Sequence, residues 1–384
     1  MISTLVLKVA APCNLACTYC YEYKSGDESW KAMPKHIDIR TVEKLGERIR
    51  EYALSKGLTR LEVMLHGGEP LLLGPTKFSK VVTALRECAA PVDVRIGLQT
   101  NAVLVTNQFV DLFREHQIRV GVSLDGDALQ NRNRVDLSGQ PSFERALAGY
   151  RRIQAGCPEL LTGILTVIDL ANSPRETIRF LCSLKPRQLD LLLPFVTHEG
   201  LGSERGVWAS SLDDWLKAAF NEWFYDSANN IVKIRIFEDV MQAVLTRRAK
   251  TDWFGPRRLS YLVVATNGHI DTLDHLKVIG VDSARFRGTE ANVFDHTLAE
   301  SEEFADQMLG RFGATQLPNA CKECELSDVC AGGYLPHRYS AASLFDNPSV
   351  ACIAIKGLFS RSLPIVKTAI HTPISTEVPS NPCL

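Results

Sequence analysis

Residues 4–21 read TLVLKVAAPCNLACTYCY. The first seven form an apolar run with the length of a β-strand. The stretch after it carries Cys13, Cys17 and Cys20 in Cys-x3-Cys-x2-Cys spacing. Closed cysteine metal sites use four thiolates, so three together raise the question of the fourth place. On a loop, three thiolates can hold three corners of a cubane iron–sulfur cluster. The fourth iron is then open, and an open coordination position is where chemistry happens. A zinc ion completed by a distant residue is the competing reading of the spacing.

The same kind of run recurs downstream. RLEVML (60–65), DVRIGL (93–98), IRVGVSL (118–124), LLTGILTVI (160–168) and LDLLLPF (189–195) are rich in Val, Ile and Leu. They alternate little, as strands covered on both faces do. Helical patterns separate them. Residues 38–56 put Val42, Leu45, Ile49 and Tyr52 at helical spacing, with Gly57 at the stop. Ser173-Pro174-Arg175-Glu176 supplies a capping box and a first-turn Pro for a helix over 174–184.

Six β/α units in series predict a parallel sheet with right-handed crossovers. That is two units short of a closed eight-fold barrel. The predicted fold class is α/β, an open partial (β/α)6 TIM barrel, with its site at the C-terminal ends of the strands. Polar segments gather on that rim. The cysteine triplet follows the first strand, His66-Gly67-Gly68-Glu69-Pro70 the second and Gln99-Thr100-Asn101 the third; Ser123-Leu124-Asp125-Gly126 ends the fourth.

The 384 residues are 45% hydrophobic and 23% charged, with a formal net charge of -1. Such a balance offers no field to attract nucleic acid or an anionic membrane. No run of apolar residues is long enough to span a bilayer. No basic region precedes the apolar N-terminus, so it reads as a strand rather than a signal peptide, and the expected location is cytoplasmic. Eleven cysteines in a cytoplasmic chain are not a disulfide framework. Seven fall in two groups; Cys88, Cys157, Cys182 and Cys383 are scattered and expected to be plain thiols.

Beyond residue 230 the elements shorten. A helix at about 232–248 precedes SYLVVATNGHIDTLDHL (260–276), a hairpin-like stretch turning at Asn267-Gly268. Cys321-x2-Cys324-x5-Cys330 and then Cys352 supply four thiolates, enough for a fully ligated cluster or for structural zinc. The expected organisation is a barrel over 1–228, a cluster domain over 229–370 and a Pro- and Ser-rich flexible tail over 371–384.

Cys13-x3-Cys17-x-Tyr19-Cys20 and Gly67-Gly68-Glu69-Pro70 resemble the signature motifs of the radical S-adenosylmethionine (SAM) superfamily. The resemblance implies a [4Fe-4S] cluster whose open iron is chelated by the amino and carboxylate groups of SAM. It implies reductive cleavage of SAM to methionine and a 5′-deoxyadenosyl radical. It also implies roles. Gly67 and Glu69, with Gly68 between them, would meet the methionine amino group, and backbone near Tyr19 would read the adenine. Ser123 would touch the ribose or carboxylate, and Arg134 would pair with the carboxylate. Gln99, Asn101 and Thr166 are further rim contacts.

The C-terminal cysteines resemble the SPASM extension of radical SAM enzymes that modify peptides. That extension usually carries seven cysteines and two auxiliary clusters. Here Tyr334 and Leu273 stand where cysteines of one of those clusters are expected. The implied complement is one auxiliary [4Fe-4S] cluster on Cys321, Cys324, Cys330 and Cys352, with a structural or electron-transfer role.

Ile270–Lys277, Asn292–Leu298, Gly332–Tyr339 and Asp346–Ser349 further resemble the cyclophane-forming peptide maturases. The implied substrate is a ribosomally made precursor peptide, in which an aromatic ring carbon is joined to the β-carbon of a residue two positions along. Such an enzyme takes electrons from an external donor such as a flavodoxin or ferredoxin. It also needs a base, for which Asp125 and His198 are candidates. The chain starts at the first strand, so no N-terminal leader-recognition domain is expected. Leader binding then falls to the C-terminal domain, the barrel exterior or a separate protein. Alternatives are a thioether-forming or formylglycine-generating maturase, and an iron–sulfur redox sensor without SAM chemistry. Sulfatase maturation is disfavoured here because those enzymes resemble the type with two auxiliary clusters.

Overall fold

The six runs read as strands each form one in the computed structural model, which describes residues 1–226, 231–249, 251, 253–254 and 260–371. They are β1 (Thr4–Ala10), β2 (Arg60–Gly67), β3 (Asp93–Thr100), β4 (Arg119–Ser123), β5 (Leu161–Val167) and β6 (Gln188–Leu192). Each pairs in parallel with the next in chain order. The sixth ends earlier than its apolar run, at Leu192 rather than 195. Pro194 has no N–H to give to a ladder, so the chain leaves the sheet there.

Helices return the chain between strands: α1 (Ile39–Lys56), α2 (Gly74–Ala89), α3 (Asn107–Glu115), α4 (Phe143–Gly156) and α5 (Pro174–Ser183). In α1 the Asp38 carboxylate accepts from the Arg40 N–H, and Gly57 takes the left-handed conformation at φ 66°. The predicted stripe of Val42, Leu45, Ile49 and Tyr52 is buried. Ser173 caps α5 by accepting from the Glu176 N–H.

The second half adds two more parallel strands. β7 (Lys233–Ile234) lies beside β6, and β8 (Tyr261–Val264) lies beside β1. β8 turns at Asn267-Gly268 into the antiparallel β9 (His269–Asp271), which β10 (Gly288–Asn292) flanks. The sheet runs β10-β9-β8-β1-β2-β3-β4-β5-β6-β7, open at both ends. The hairpin expected over 260–276 is therefore present, but its first arm also extends the barrel. A strand's edge partner leaves no mark in its own pattern, which hides this pairing from the sequence.

Four more helices complete the frame: α6 (Arg205–Tyr225), α7 (Arg235–Thr246), α8 (Leu298–Arg311) and α9 (Cys352–His371). α9 packs on α6 and α7, and one apolar core runs through both halves of the chain. Cys157 and Cys182 are buried and Cys88 is half-buried, as small apolar fillers. Residues 372–384, with Cys383 and nearly all of the expected tail, lie outside the described residues. Among the described residues no helix is long and apolar enough to cross a membrane.

Candidate active site

The cysteine loop leaves β1 at the C-terminal rim and is pinned to the segment after β4. The Ala16 N–H donates to the Val135 carbonyl at 2.7 Å and the Thr18 N–H to Asn133 at 3.0 Å. The Leu15 N–H reaches Cys13 Sγ at 3.4 Å. All three thiols are half-buried. Burial pushes the Cys13 thiol up to about 12 and Cys20 up to about 11, and raises Cys17 as well.

Two glycines bring the end of β2 against this loop. A Cβ on Gly67, whose φ is 128°, would sit 2.1 Å from the Ala10 carbonyl oxygen. One on Gly68 would sit 2.1 Å from the Tyr23 hydroxyl and 2.2 Å from the Pro12 carbonyl oxygen. The Gly68 and Glu69 N–H groups donate to the carbonyls of Ala10 and Pro12 at 2.9 and 3.1 Å. Only glycine permits that approach.

Glu69 is buried, and its carboxylate is largely spent within the protein. Oε1 accepts from Thr100 Oγ1 at 2.7 Å and the Leu71 N–H at 3.1 Å; Oε2 accepts from the Asn101 N–H at 2.9 Å. Burial raises its carboxyl against those three hydrogen bonds. A carboxylate offers about four acceptor positions, so one remains on Oε2. Asn101 adds its Nδ2, 3.8 Å from Cys13 Sγ and 2.8 Å from Asn14 Oδ1.

At the far side of the loop the Tyr19 hydroxyl donates to Asp125 Oδ2 and accepts from Arg134 Nη1 at 2.7 Å. Asp125 also accepts from the Val167 N–H at 3.1 Å. Burial opposes the Arg134 charge, but Tyr19 and Asp125 pull the guanidinium's affinity for its proton up. Its Nε is enclosed with no partner. Ser123 Oγ accepts from Gln99 Nε2 at 2.8 Å, whereas Thr166 turns its hydroxyl to the Leu124 carbonyl at 2.6 Å.

Neither candidate base stands on the cavity described below. Asp125 is committed to Tyr19 and the Val167 N–H. His198 is tied at both ring nitrogens, Nε2 to the Pro348 carbonyl at 2.9 Å and Nδ1 to Arg205 Nη1 at 2.6 Å. It anchors the C-terminal half instead of facing a substrate.

Below the rim lies a cavity of about 760 Å³ running along the barrel interior. His66, Gln99, Tyr21 and Asp274 line its cluster end, and Thr4, Gln188 and Asp190 line the end where the strands begin. At that lower end Arg235 reaches Asp190 at 2.5 Å.

A buried charge network beside the cavity was not read from the sequence. Lys8 Nζ donates to Asp274 Oδ1 at 2.6 Å and to Glu22 Oε2 at 2.8 Å; the Tyr21 hydroxyl donates to Asp274 Oδ2 at 2.9 Å; Lys277 also pairs with Glu22. Burial opposes the Asp274 charge, yet Lys8 and Lys277 hold its carboxyl far below the usual range. The available signal was Lys8 itself, a charge inside an otherwise apolar strand.

Cys321, Cys324, Cys330 and Cys352 come together round one small pocket, with Leu326, Pro348 and Ile355 beside them. Burial pushes the Cys330 thiol up to about 12 and raises Cys321 and Cys352. Ala331, Gly332 and Gly333 all have positive φ, which turns the chain sharply after Cys330. Tyr334 and Leu273, at the expected positions of the missing cysteines, are buried cavity-wall residues. The Tyr334 ring centroid lies 4.5 Å from Trp253, 4.9 Å from His275 and 6.0 Å from Phe195.

A profile of the radical SAM superfamily matches residues 8–181, the stretch that holds the cysteine loop, the glycine clamp and Arg134. Residues 8–181 carry a radical SAM domain. Over 357 residues it is 25% identical to the serine-type anaerobic sulfatase-maturating enzyme of Bacteroides thetaiotaomicron, covering 88% of this chain and 83% of that one. Over 374 residues it is 24% identical to the cysteine-type anaerobic sulfatase-maturating enzyme of Clostridium perfringens, covering 94% and 96%. Its fold matches anSMEcpe with bound AdoMet and a Cp18Cys peptide at a TM-score of 0.80 and 21% identity, over 95% of this chain and 98% of that one. It also matches Streptococcus suis SuiB bound to precursor peptide SuiA at a TM-score of 0.61 and 17% identity, over 91% and 76%.

A radical SAM enzyme binds a [4Fe-4S] cluster and SAM, and the residues on this rim fit both. Burial raises all three thiols, and a metal that shares the thiolate charge relieves that cost. The enclosed Arg134 Nε lacks a hydrogen-bond partner, as a donor kept for a carboxylate would.

Proposed function

We propose that the protein is a maturase that oxidises a side chain of a peptide or protein held in the barrel cavity. The observation that carries this reading is the cavity itself. It is large enough for several side chains and opens beneath the rim that carries the three cysteines and the glycine clamp. When bound, the cluster and SAM supply a 5′-deoxyadenosyl radical that takes a hydrogen atom from the substrate.

The chain's own part is binding, orientation and exclusion of water. Gly67 and Gly68 let the β2 loop close on the cysteine loop, where the remaining Oε2 acceptor of Glu69 would take the SAM ammonium. Arg134 would pair with its carboxylate. Gln99 and Ser123 fix one another on the rim between the SAM site and the cavity. The apolar cavity wall, with Leu192, Phe195, Leu273 and Tyr334, keeps a reactive carbon radical away from solvent. Cys321, Cys324, Cys330 and Cys352 hold one auxiliary [4Fe-4S] cluster, and an external flavodoxin or ferredoxin delivers electrons.

Two forms of the reaction are distinguished by substrate. Sulfatase maturation, conversion of a Cys or Ser side chain to formylglycine, has the support of the relatives, which match this chain over most of its length. Joining an aromatic ring to a β-carbon is the second reading. It is favoured by the rings of Tyr21, Phe195, Trp253, Tyr261 and Tyr334 on the cavity wall, against which an aromatic side chain can pack.

Reduced enzyme and SAM are to be incubated with a sulfatase-derived Cys or Ser peptide and with a precursor encoded beside the gene. The Ser peptide and the ring-linked precursor each lose two hydrogens, and the Cys peptide in addition exchanges sulfur for oxygen when its thioaldehyde is hydrolysed. A hydrazide-reactive aldehyde identifies the first form, and a fragmentation-resistant link to a ring carbon the second. Absence of 5′-deoxyadenosine with every substrate sinks both.

A further inference from the structure

His66, the residue before the glycine clamp, has an unused ring nitrogen. Its Nδ1 is enclosed with no partner that meets hydrogen-bond geometry, while the ring forms part of the cavity wall. With Nδ1 shut in, Nε2 is the nitrogen left to serve a substrate in the cavity, and the Gly67 backbone beside the ring helps to set its orientation. Parallel register sets Lys8 of β1 beside His66. The charged groups acting on the ring are Asp274 from the second half of the chain, Lys8 from β1 and Glu22 from the segment after Cys20. Gln99 of β3 and Tyr21 share its stretch of wall.

The other acid–base group at this end of the cavity is Asp274. Both its oxygens are occupied, Oδ1 by Lys8 and Oδ2 by Tyr21. An anion stabilised in that way is a poor proton acceptor. The imidazole is different. Burial lowers its pKa below the ordinary value, so the ring is neutral at neutral pH and has a lone pair to offer. Asp274 and Glu22 then stand by to stabilise the imidazolium.

We propose that His66 is the base that removes the substrate proton when the substrate radical is oxidised to product. The inference rests on the maturase reading and covers both of its forms. Hydrogen abstraction leaves one unpaired electron on carbon. An O–H or S–H bond of a Ser or Cys radical, or the ring C–H at a newly joined carbon, then breaks, and its proton goes to His66 Nε2. The electron pair of that bond and the unpaired electron make three. Two become the new π bond, and one leaves to an oxidised iron–sulfur cluster as the one-electron acceptor.

His66→Gln, loaded with cluster and SAM, is to be compared with wild type on whichever substrate the wild type modifies, deuterated at the abstracted carbon. Iron content and SAM affinity are checked first. The expected result is that 5′-deoxyadenosine still forms and still gains deuterium, while product per 5′-deoxyadenosine falls by about 10²-fold, the usual scale for a lost general base. In the wild type that ratio falls as pH drops through the depressed histidine titration; in the variant it is flat. An unchanged ratio, or a parallel fall of product and 5′-deoxyadenosine, overturns the proposal, the second outcome making His66 a residue of the SAM clamp. If the wild type cleaves SAM but modifies no substrate, the maturase reading fails first and the proposal with it.

Discussion

Arg134 donates from Nη1 to the Tyr19 hydroxyl at 2.7 Å, and Tyr19 passes its own hydrogen on to Asp125. The residue before Cys20 is thereby fastened to the guanidinium proposed above to pair with the SAM carboxylate. Tyr19→Phe removes both of these buried hydrogen bonds, each worth about 1 kcal/mol, so SAM is expected to bind roughly 5- to 30-fold more weakly. Arg134→Ala removes a charged donor, and a loss of about 2–3 kcal/mol, or roughly 30- to 150-fold, is expected. Anaerobic titration of cluster-loaded protein with SAM measures both. Unchanged affinity in Arg134→Ala would remove Arg134 from the SAM site.

The two cysteine groups are expected to hold separate clusters. Anaerobically purified protein should contain about eight irons, with matching acid-labile sulfide, if each group holds a four-iron cluster. Cys17→Ala and Cys330→Ala should each lower this to about four, and only Cys17→Ala should abolish SAM cleavage outright. About four irons with one zinc in the wild type would make the C-terminal group a zinc site.

Lys8 holds Asp274 and Glu22 together inside the protein. Lys8→Met leaves two buried carboxylates with Lys277 as their remaining cation, and removing one partner of such a set costs about 3–5 kcal/mol. A clear fall in the unfolding midpoint at neutral pH is expected. Asp274 has a depressed carboxyl pKa, so its contribution is complete above the ordinary carboxylate range and is lost as pH falls below it. Without Lys8 that depression shrinks, so the variant should lose less stability on acidification than the wild type, and the gap between the two should narrow as pH falls below the carboxylate range. Denaturant melts across pH 3–8, a window set by the ordinary carboxylate range, test both statements.

Gly68→Ala forces a Cβ to within 2.2 Å of the Pro12 carbonyl oxygen. Pro12 directly precedes Cys13, so relief displaces either the clamp or a cluster ligand. A stability loss of about 1–3 kcal/mol is expected for overpacking of this kind, with SAM affinity falling while the C-terminal iron is retained. Gly57→Ala, in open space at the end of α1, is the control. It carries the strain of a positive φ but should leave SAM binding intact.

Much of the fold is written in local pattern. The strands β1 to β5 end within a few residues of their apolar runs, because a strand covered on both faces must be apolar at nearly every position. The stops were legible for the same kind of reason: Gly57 suits a left-handed cap and Ser173 an N-cap wherever they stand. The sixth strand shows the limit. LDLLLPF kept its hydrophobicity through Phe195, but Pro194 withheld a donor, and the last three residues were needed elsewhere.

The sequence supplied the two cysteine groups by their spacing, and its resemblance to the radical SAM signature motifs pointed to the glycine clamp and Arg134. Tertiary structure alone decided what faces the cavity. Lys8 and Asp274 are 266 residues apart and make one buried pair. Asp125 and His198 are spent on neighbours, whereas His66 Nδ1 is enclosed without a partner. The reason is physical. A residue's capacity to bind or transfer a proton depends on whether its hydrogen-bonding positions are already filled, and the groups that fill them come from distant parts of the chain.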